Sequence, residues 1–165
     1  KFFYIDSCAL VKRYHKEKGT DQIDILFVTL IGKKPKCLIT SIVSIPETIA
    51  TLNRKKNEGK IGSLQLKEIL ANLFNEVDML LDTITVDEER ILGSIPLITK
   101  HNLNSVDALH FSAIKEAGEI AKYIEGTVII VTSDKRLLKV SENEGFKTLN
   151  PEEVDLITIK RLIEI

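Results

Sequence analysis

The sequence predicts an α/β protein, a three-layer α/β/α sandwich around a mostly parallel central sheet. Three observations predict it. Short apolar, β-branched runs recur along the chain with segments of helical period between them. Three of those runs are continuous rather than alternating, as expected of parallel strands covered on both faces. The alternation itself implies βαβ units with right-handed crossovers.

The strand candidates are "FFYI" (Phe2 to Ile5), "CLIT" (Cys37 to Thr40), "TITV" (Thr83 to Val86), "TVIIVT" (Thr127 to Thr132) and "FKTL" (Phe146 to Leu149). Ser63 opens a helix in which Leu64, Ile69, Leu70, Leu73 and Phe74 recur on one face, and Asp87 with Glu88 and Glu89 marks another helix start, where the dipole favours negative charge. A helix begins near Ser105 in "SVDALHFSAIKEAG", with Gly118 as its expected C-terminal stop. "GKKPK" (Gly32 to Lys36) and "KKNEGKIG" (Lys55 to Gly62) read as solvated loops. The tail "PEEVDLITIKRLIEI" places Pro151 at a plausible first helical position and suggests a last helix or an extended segment, available for a subunit contact.

At 165 residues, 44% of them hydrophobic, the chain is sized for one compact domain spanning 1–165. The formal charge of −1 supplies no global field for nucleic acid, so a polyanion would need a local patch. Cys8 and Cys37 lack disulfide-framework or zinc spacing and read as reduced core residues. No run approaches the ~18 apolar residues of a membrane span, and no signal-peptide pattern is present, so the expectation is a soluble cytoplasmic protein without a membrane partner.

Most of the 24 acids lie in polar surroundings, but four do not. Asp6 follows the first strand, Glu47 sits among Ile42, Val43, Ile45, Ile49 and Leu52, Asp107 lies between Val106 and Ala108, and Asp134 closes "VIIVTSD". In an open parallel sheet, ligands bind in the crevice beyond the carboxyl ends of the strands, and helix starts lie on that same edge. All four carboxylates can therefore converge there. Their mutual repulsion disfavours this unless a cation relieves it, and oxygen-only ligation favours Mg2+ or Mn2+ over zinc. Each acid also has an ordinary alternative: Asp6 and Asp107 as helix N-caps, Glu47 after Pro46 as a first-turn acid, Asp134 as the cap of "KRLLKVSENEG".

The segments "YIDSCALVKRY", "ITSIVSIPETIATLNR", "LNSVDALHFSAIKEAG" and "VIIVTSDKRLLKVSENEGFKTLNPEE" resemble, in order, the signature segments of PIN-domain proteins, especially the VapC-like toxins of toxin–antitoxin pairs. The family's four acids fall on Asp6, Glu47, Asp107 and Asp134, and its accompanying hydroxyl on Thr132. Pro46 before Glu47 is a departure, as are the longer segment Gly19 to Lys36 and the tail after Glu153. The resemblance implies a PIN-like nuclease domain and a Mg2+- or Mn2+-dependent endoribonuclease. Asp6 and Asp107 would be the main metal ligands, Glu47 a ligand or water-orienting group, and Asp134 a second-metal or outer ligand, all four being catalytic. Ser7 and Thr132 would support the carboxylates. It also implies an RNA substrate, a homodimer and an antitoxin whose segment enters the crevice.

A local basic rim for RNA is offered by Lys12, Arg13, Arg54, Lys135 and Arg136, though taken singly each reads first as solvated helix surface. His110, three residues after Asp107, reads first as a satisfied structural histidine and second as a metal or base candidate. The competing functions are a housekeeping RNA-processing PIN nuclease, a non-catalytic RNA-binding PIN module and a receiver-like signalling domain. The receiver is disfavoured because Ser7 and Cys8 follow Asp6 where paired acids are needed. A neighbouring antitoxin gene separates toxin from housekeeping enzyme.

Overall fold

A computed structural model describes residues 1–33 and 36–164. Five parallel strands form the sheet: β1 (Phe2–Ile5), β2 (Leu38–Ser41), β3 (Leu81–Ile84), β4 (Val128–Val131) and β5 (Lys147–Leu149), in the order β3-β2-β1-β4-β5. The described helices are α1 (Ser7–Tyr14), α2 (Thr20–Leu30), α3 (Ser44–Asn57), α4 (Ser63–Leu80), α5 (Glu88–His101), α6 (Ser105–Tyr123), α7 (Lys135–Asn143) and α8 (Leu156–Glu164). This is the α/β architecture the alternating runs imply, and its sheet is wholly parallel.

The two faces of the sheet are sorted by strand alternation. Phe3 and Ile5 of β1, with Ile129 and Val131 of β4, pack under α1, α2 and α8. Their neighbours Tyr4, Val128 and Ile130 pack on the opposite face under α6, with Leu97 of α5 and Leu137 and Val140 of α7. A smaller cluster of Leu52, Ile61 and Ile69 joins α3 to α4. Among the described residues no helix is long and apolar enough to cross a membrane.

Several boundaries differ from the sequence expectation, each for a tertiary reason. β3 begins two residues early, because Leu81 and Ile84 are the buried positions and register on β2 pairs Leu38 with Leu81 and Ser41 with Ile84. α4 buries Ile69 and Leu73, but Leu64 and Phe74 of the expected face stay exposed. α3 runs on to Asn57, and the following Ile61 is buried, so the expected solvated loop is shorter and anchored. In the Gly32 to Lys36 loop, residues 34 and 35 lie outside the described residues, as does residue 165 of the tail.

α6 continues past Gly118 to Tyr123. Gly118 is a packing glycine instead of a stop: a Cβ there would lie 2.7 Å from Cε1 of Phe146, whose ring stands edge-on to Phe111. Pro151 does not start the last helix. Asn150 turns the chain there, accepting the Glu152 amide at 3.0 Å, and α8 is capped by Asp155, which accepts the Thr158 amide at 2.7 Å. The inner face of α8, Ile159 and Ile163, belongs to this chain's own core.

Lys12 locks the edges of this assembly. Its side chain is 5% exposed and its ammonium meets Glu17 at 3.0 Å and Glu152 at 2.6 Å, joining α1 to the α1–α2 loop and the β5–α8 turn. Glu17 also accepts from Lys55 of α3 at 3.0 Å. The close approach needs Gly19, whose φ of +91° and position against the Pro151 carbonyl leave no place for a side chain.

For Glu17 and Glu152, the lysine hydrogen bonds outweigh desolvation and hold both carboxyls below the ordinary value of 4.5. A depressed folded pKa contributes stability present above the unfolded value and lost as pH falls through the folded one. Lys12→Met should therefore cost about 1–2 kcal/mol at pH 7, discounted for the partly exposed partners. The gap to wild type in urea denaturation should shrink below about pH 4. A gap that is constant from pH 7 to pH 3 would show that the ion pairs contribute nothing.

Candidate functional site

The order β3-β2-β1-β4-β5 reverses direction between β1 and β4, and in doubly wound sheets the crevice at such a switch point receives ligands. Asp6 stands at the carboxyl end of β1. Its amide donates to the Val131 carbonyl at 3.1 Å, so its backbone is fixed to β4, and its side chain is 6% exposed. It occupies the N-cap position of α1 without making a side-chain cap bond. The carboxylate faces inward instead. Oδ2 accepts from the Thr132 hydroxyl at 2.9 Å and from the Cys8 thiol at 3.0 Å.

Thr132, one residue beyond β4, organises that corner. While its hydroxyl donates to Asp6, the same oxygen accepts the Asp134 amide at 3.0 Å. The Ser133 amide donates to Cys8 Sγ at 3.1 Å. Burial, with Asp6 adding to it, pushes the Cys8 thiol well above its usual range, so it remains a neutral donor.

Glu47 lies in the first turn of α3. Pro46 precedes it within that turn, where a missing amide costs no helical bond, and the helix is not broken. Glu47 is half-buried, and its Oε2 lies 2.6 Å from His110 Nε2. Desolvation raises its pKa, but the His110 bond and charge, with a Ser7 hydroxyl bond, outweigh it and hold the carboxyl below its usual value.

Asp107 and Asp134 take up helix-start positions on the same edge. Asp107 and Asn104 form a reciprocal pair: the Asp107 amide donates to Asn104 Oδ1 at 2.8 Å and Asn104 Nδ2 donates to Asp107 Oδ2 at 2.9 Å. Desolvation, and then the charges of Asp134 and Asp6, raise the Asp107 pKa above its ordinary value despite Asn104 and Arg136. Asp134 is exposed and caps α7, accepting the Arg136 and Leu137 amides at 2.7 and 2.9 Å.

The four acids are thus drawn toward one edge but not closed into a cage. Among the described residues, no three His, Cys, Asp or Glu side chains stand as a ready set of metal ligands. Each acid has turned part of its carboxylate to a donor of its own: Thr132 and Cys8 for Asp6, His110 for Glu47, Asn104 for Asp107, helix amides for Asp134. Donors of this kind stabilise carboxylates that share a field. The donor set fits a hard divalent ion nonetheless: it is oxygen-only, and Asp107 feels two other carboxylates strongly enough to lift its pKa.

The basic residues separate into two groups. Lys12 is buried in its double ion pair, and Arg13 is held by Asp24 and Glu76 at 2.6 Å each, with Phe27 beneath its guanidinium. Neither presents a free charge to a backbone phosphate, which corrects the sequence expectation for both: the amphipathic surface they suggested is covered by α2, α4 and the β5–α8 turn. Arg54 is exposed and donates to Thr51 at 2.8 Å, and Lys135 and Arg136 are exposed at the start of α7. Arg136 Nη1 lies 3.8 Å from Asp107 Oδ2, so of these it sits nearest the acids.

Sequence reasoning missed Tyr4, Cys8 and Asn104 as parts of the site and ranked His110 as structural. Asn104 was findable, since Asn three residues before Asp107 has capping-box spacing. Tyr4 and Cys8 carried no such signal.

A family model described as PIN domain matches residues 3–143. Comparison with curated protein sequences finds none that matches. Among solved structures, the chain is similar to one titled "Toxin-antitoxin complex from Klebsiella pneumoniae", with a TM-score of 0.51 and 12% identity over 93% of this chain and 100% of that one. At that identity the likeness speaks for the fold.

The Thr132 hydroxyl is the joint between the ends of β1 and β4. Thr132→Val, nearly isosteric, should destabilise the protein by about 2 kcal/mol, since a bond to a buried carboxylate is lost and the Asp134 amide is orphaned. Thr132→Ser should lose less than half of that. Equal unfolding midpoints for wild type and the valine variant in urea would show that the joint is dispensable.

Proposed function

Because the chain belongs to the PIN-domain family, whose members are generally nucleases, we propose that it is a metal-dependent endoribonuclease. The observation that carries this reading is the gathering of acids at the switch point between β1 and β4: Asp6 and Glu47 both lie against His110, one turn along α6 from Asp107. Carboxylates gathered at the edge where ligands bind are a costly arrangement for stability alone.

In this reading Asp6 and Asp107 hold the divalent ion, Mg2+ or Mn2+, with Asp134 at the rim and Glu47 as a further ligand or as the group that orients the attacking water. A bound ion would supply Lewis acidity, making water a better nucleophile and offsetting the charge that builds on the phosphoryl oxygens. The chain's own groups do the rest. Thr132 and Cys8 fix Oδ2 of Asp6, so Oδ1 is the oxygen left for an ion. Asn104 orients Asp107. Arg136, exposed beside Asp107, can meet a backbone phosphate without releasing a buried partner, and Lys135 and Arg54 extend that surface.

The role of toxin, a homodimeric state and a cognate antitoxin belong to the same proposal. They are supported by the resemblance of the four sequence segments and by the likeness in fold to a chain from a toxin–antitoxin complex.

The test is cleavage of a mixed RNA pool with Mg2+ or Mn2+ by wild type, Asp6→Asn and Asp107→Asn. Both variants should lose at least about 100-fold in rate, and chelation should abolish wild-type cleavage. Equal rates in all three proteins, or cleavage indifferent to chelator, would refute the assignment.

A further inference from the structure

His110 lies one turn along α6 from Asp107 and is 2% exposed. Both of its ring nitrogens are used. Nε2 is 2.6 Å from Glu47 Oε2, while Nδ1 is 3.1 Å from the Tyr4 hydroxyl and 3.7 Å from Asp6 Oδ1. One imidazole therefore touches β1, α3 and α6, the three elements that carry Tyr4, Glu47 and Asp107. The Tyr4 hydroxyl thus braces the ring at Nδ1, the nitrogen turned away from Glu47. An ionised carboxylate can only accept, so the proton between Nε2 and Glu47 Oε2 belongs to the imidazole.

A glutamate in the first turn of a half-exposed helix has three free rotors and, unheld, samples many orientations toward solvent. Glu47 is held at Oε2 by His110 and assisted by Ser7. A histidine serving the core alone needs partners for its nitrogens, but not partners drawn from this crevice.

We propose that His110 is a positioning residue that pins Glu47 into the crevice beside Asp6, with Tyr4 fixing the ring that does so. Partners that orient acidic ligands typically matter about 10–100-fold to metal affinity or activity when removed. The inference rests on the reading of these acids as an ion site, and it concerns how Glu47 reaches that site.

The experiment uses the full chain and two readouts. Mn2+ binding is followed without RNA by loss of the free-ion electron paramagnetic resonance signal, and kcat and KM are measured separately on RNA. His110→Leu and Glu47→Gln should each weaken Mn2+ binding about 10-fold or more and lower kcat with KM little changed. The double variant should be no worse than either single one, because both remove the same oriented carboxylate. His110→Gln, which keeps a donor toward Glu47, should recover most of the loss. Tyr4→Phe, which leaves the core volume intact, should show a several-fold loss and carries the test if His110→Leu fails to fold.

Mn2+ affinity within about twofold of wild type for both His110→Leu and Tyr4→Phe, or additive losses in the double variant, would overturn the inference. Metal-dependent RNA cleavage with no His110–Glu47 coupling would sink it while leaving the nuclease reading intact. Coupled Mn2+ binding without RNA cleavage would support it and remove the nuclease reading instead.

Discussion

The constraint on which the structure turns is the burial of the Asp6 carboxylate where β1 and β4 part. A carboxylate on a side chain only 6% exposed survives only with donors around it, and the fold supplies them from two directions, Thr132 from the end of β4 and Cys8 from its own helix, with the His110 ring of α6 standing 3.7 Å from the other oxygen. Each of these groups is itself fixed by an element that has another task. Thr132 also holds the Asp134 amide, Cys8 also accepts from Ser133, and His110 also binds Glu47. Asp6 is thus the node through which the ends of the two central strands and the starts of three helices are brought into register.

The same constraint explains how unlike the four acids are. Asp6 is enclosed, Glu47 is half-buried and paired with a histidine, Asp107 is half-buried with its pKa raised, and Asp134 is exposed on amides of its own helix. The ordinary helix-start alternatives are partly realised: Asp134 does cap α7, whereas the cap of α6 is Asn104, whose side-chain amide donates to Asp107. Capping and ion binding are not exclusive, since a carboxylate has two oxygens and a cap bond occupies one. In the proposed site such a contact would orient the carboxylate and leave its second oxygen for an ion.

Much of this was legible in the chain. Continuous apolar strands alternating with helical segments predicted the layers, and Asp6 and Asp134 were placed at the sheet edge by their strands alone. What resisted was everything set by long-range contact. The start of β3 depends on register against β2, which no local pattern carries. Gly118 reads as a helix stop until Phe146 is seen to pack against it. Lys12 and Arg13 read as a basic rim, because the glutamates that neutralise them, Glu152 and Glu76, are 140 and 63 residues away in the chain. Charge counted along a sequence says where cations are, and only the fold says which of them are already paired.

That pairing changes how RNA recognition must be argued. With Lys12 and Arg13 consumed in joining helices, the exposed positive charge near the acids is carried at the start of α7 by Lys135 and Arg136, and Arg136 faces Asp107 from the same turn whose amides hold Asp134. In the proposed reaction a phosphate at that turn would meet a cation immediately beside the carboxylates, and binding and placement of the scissile group would be coupled through one short segment. The rim is consequently local and small. Discrimination among RNAs would come from the shape of the crevice and the path the strand takes beyond α7, not from a broad electrostatic face that the near-neutral chain does not possess.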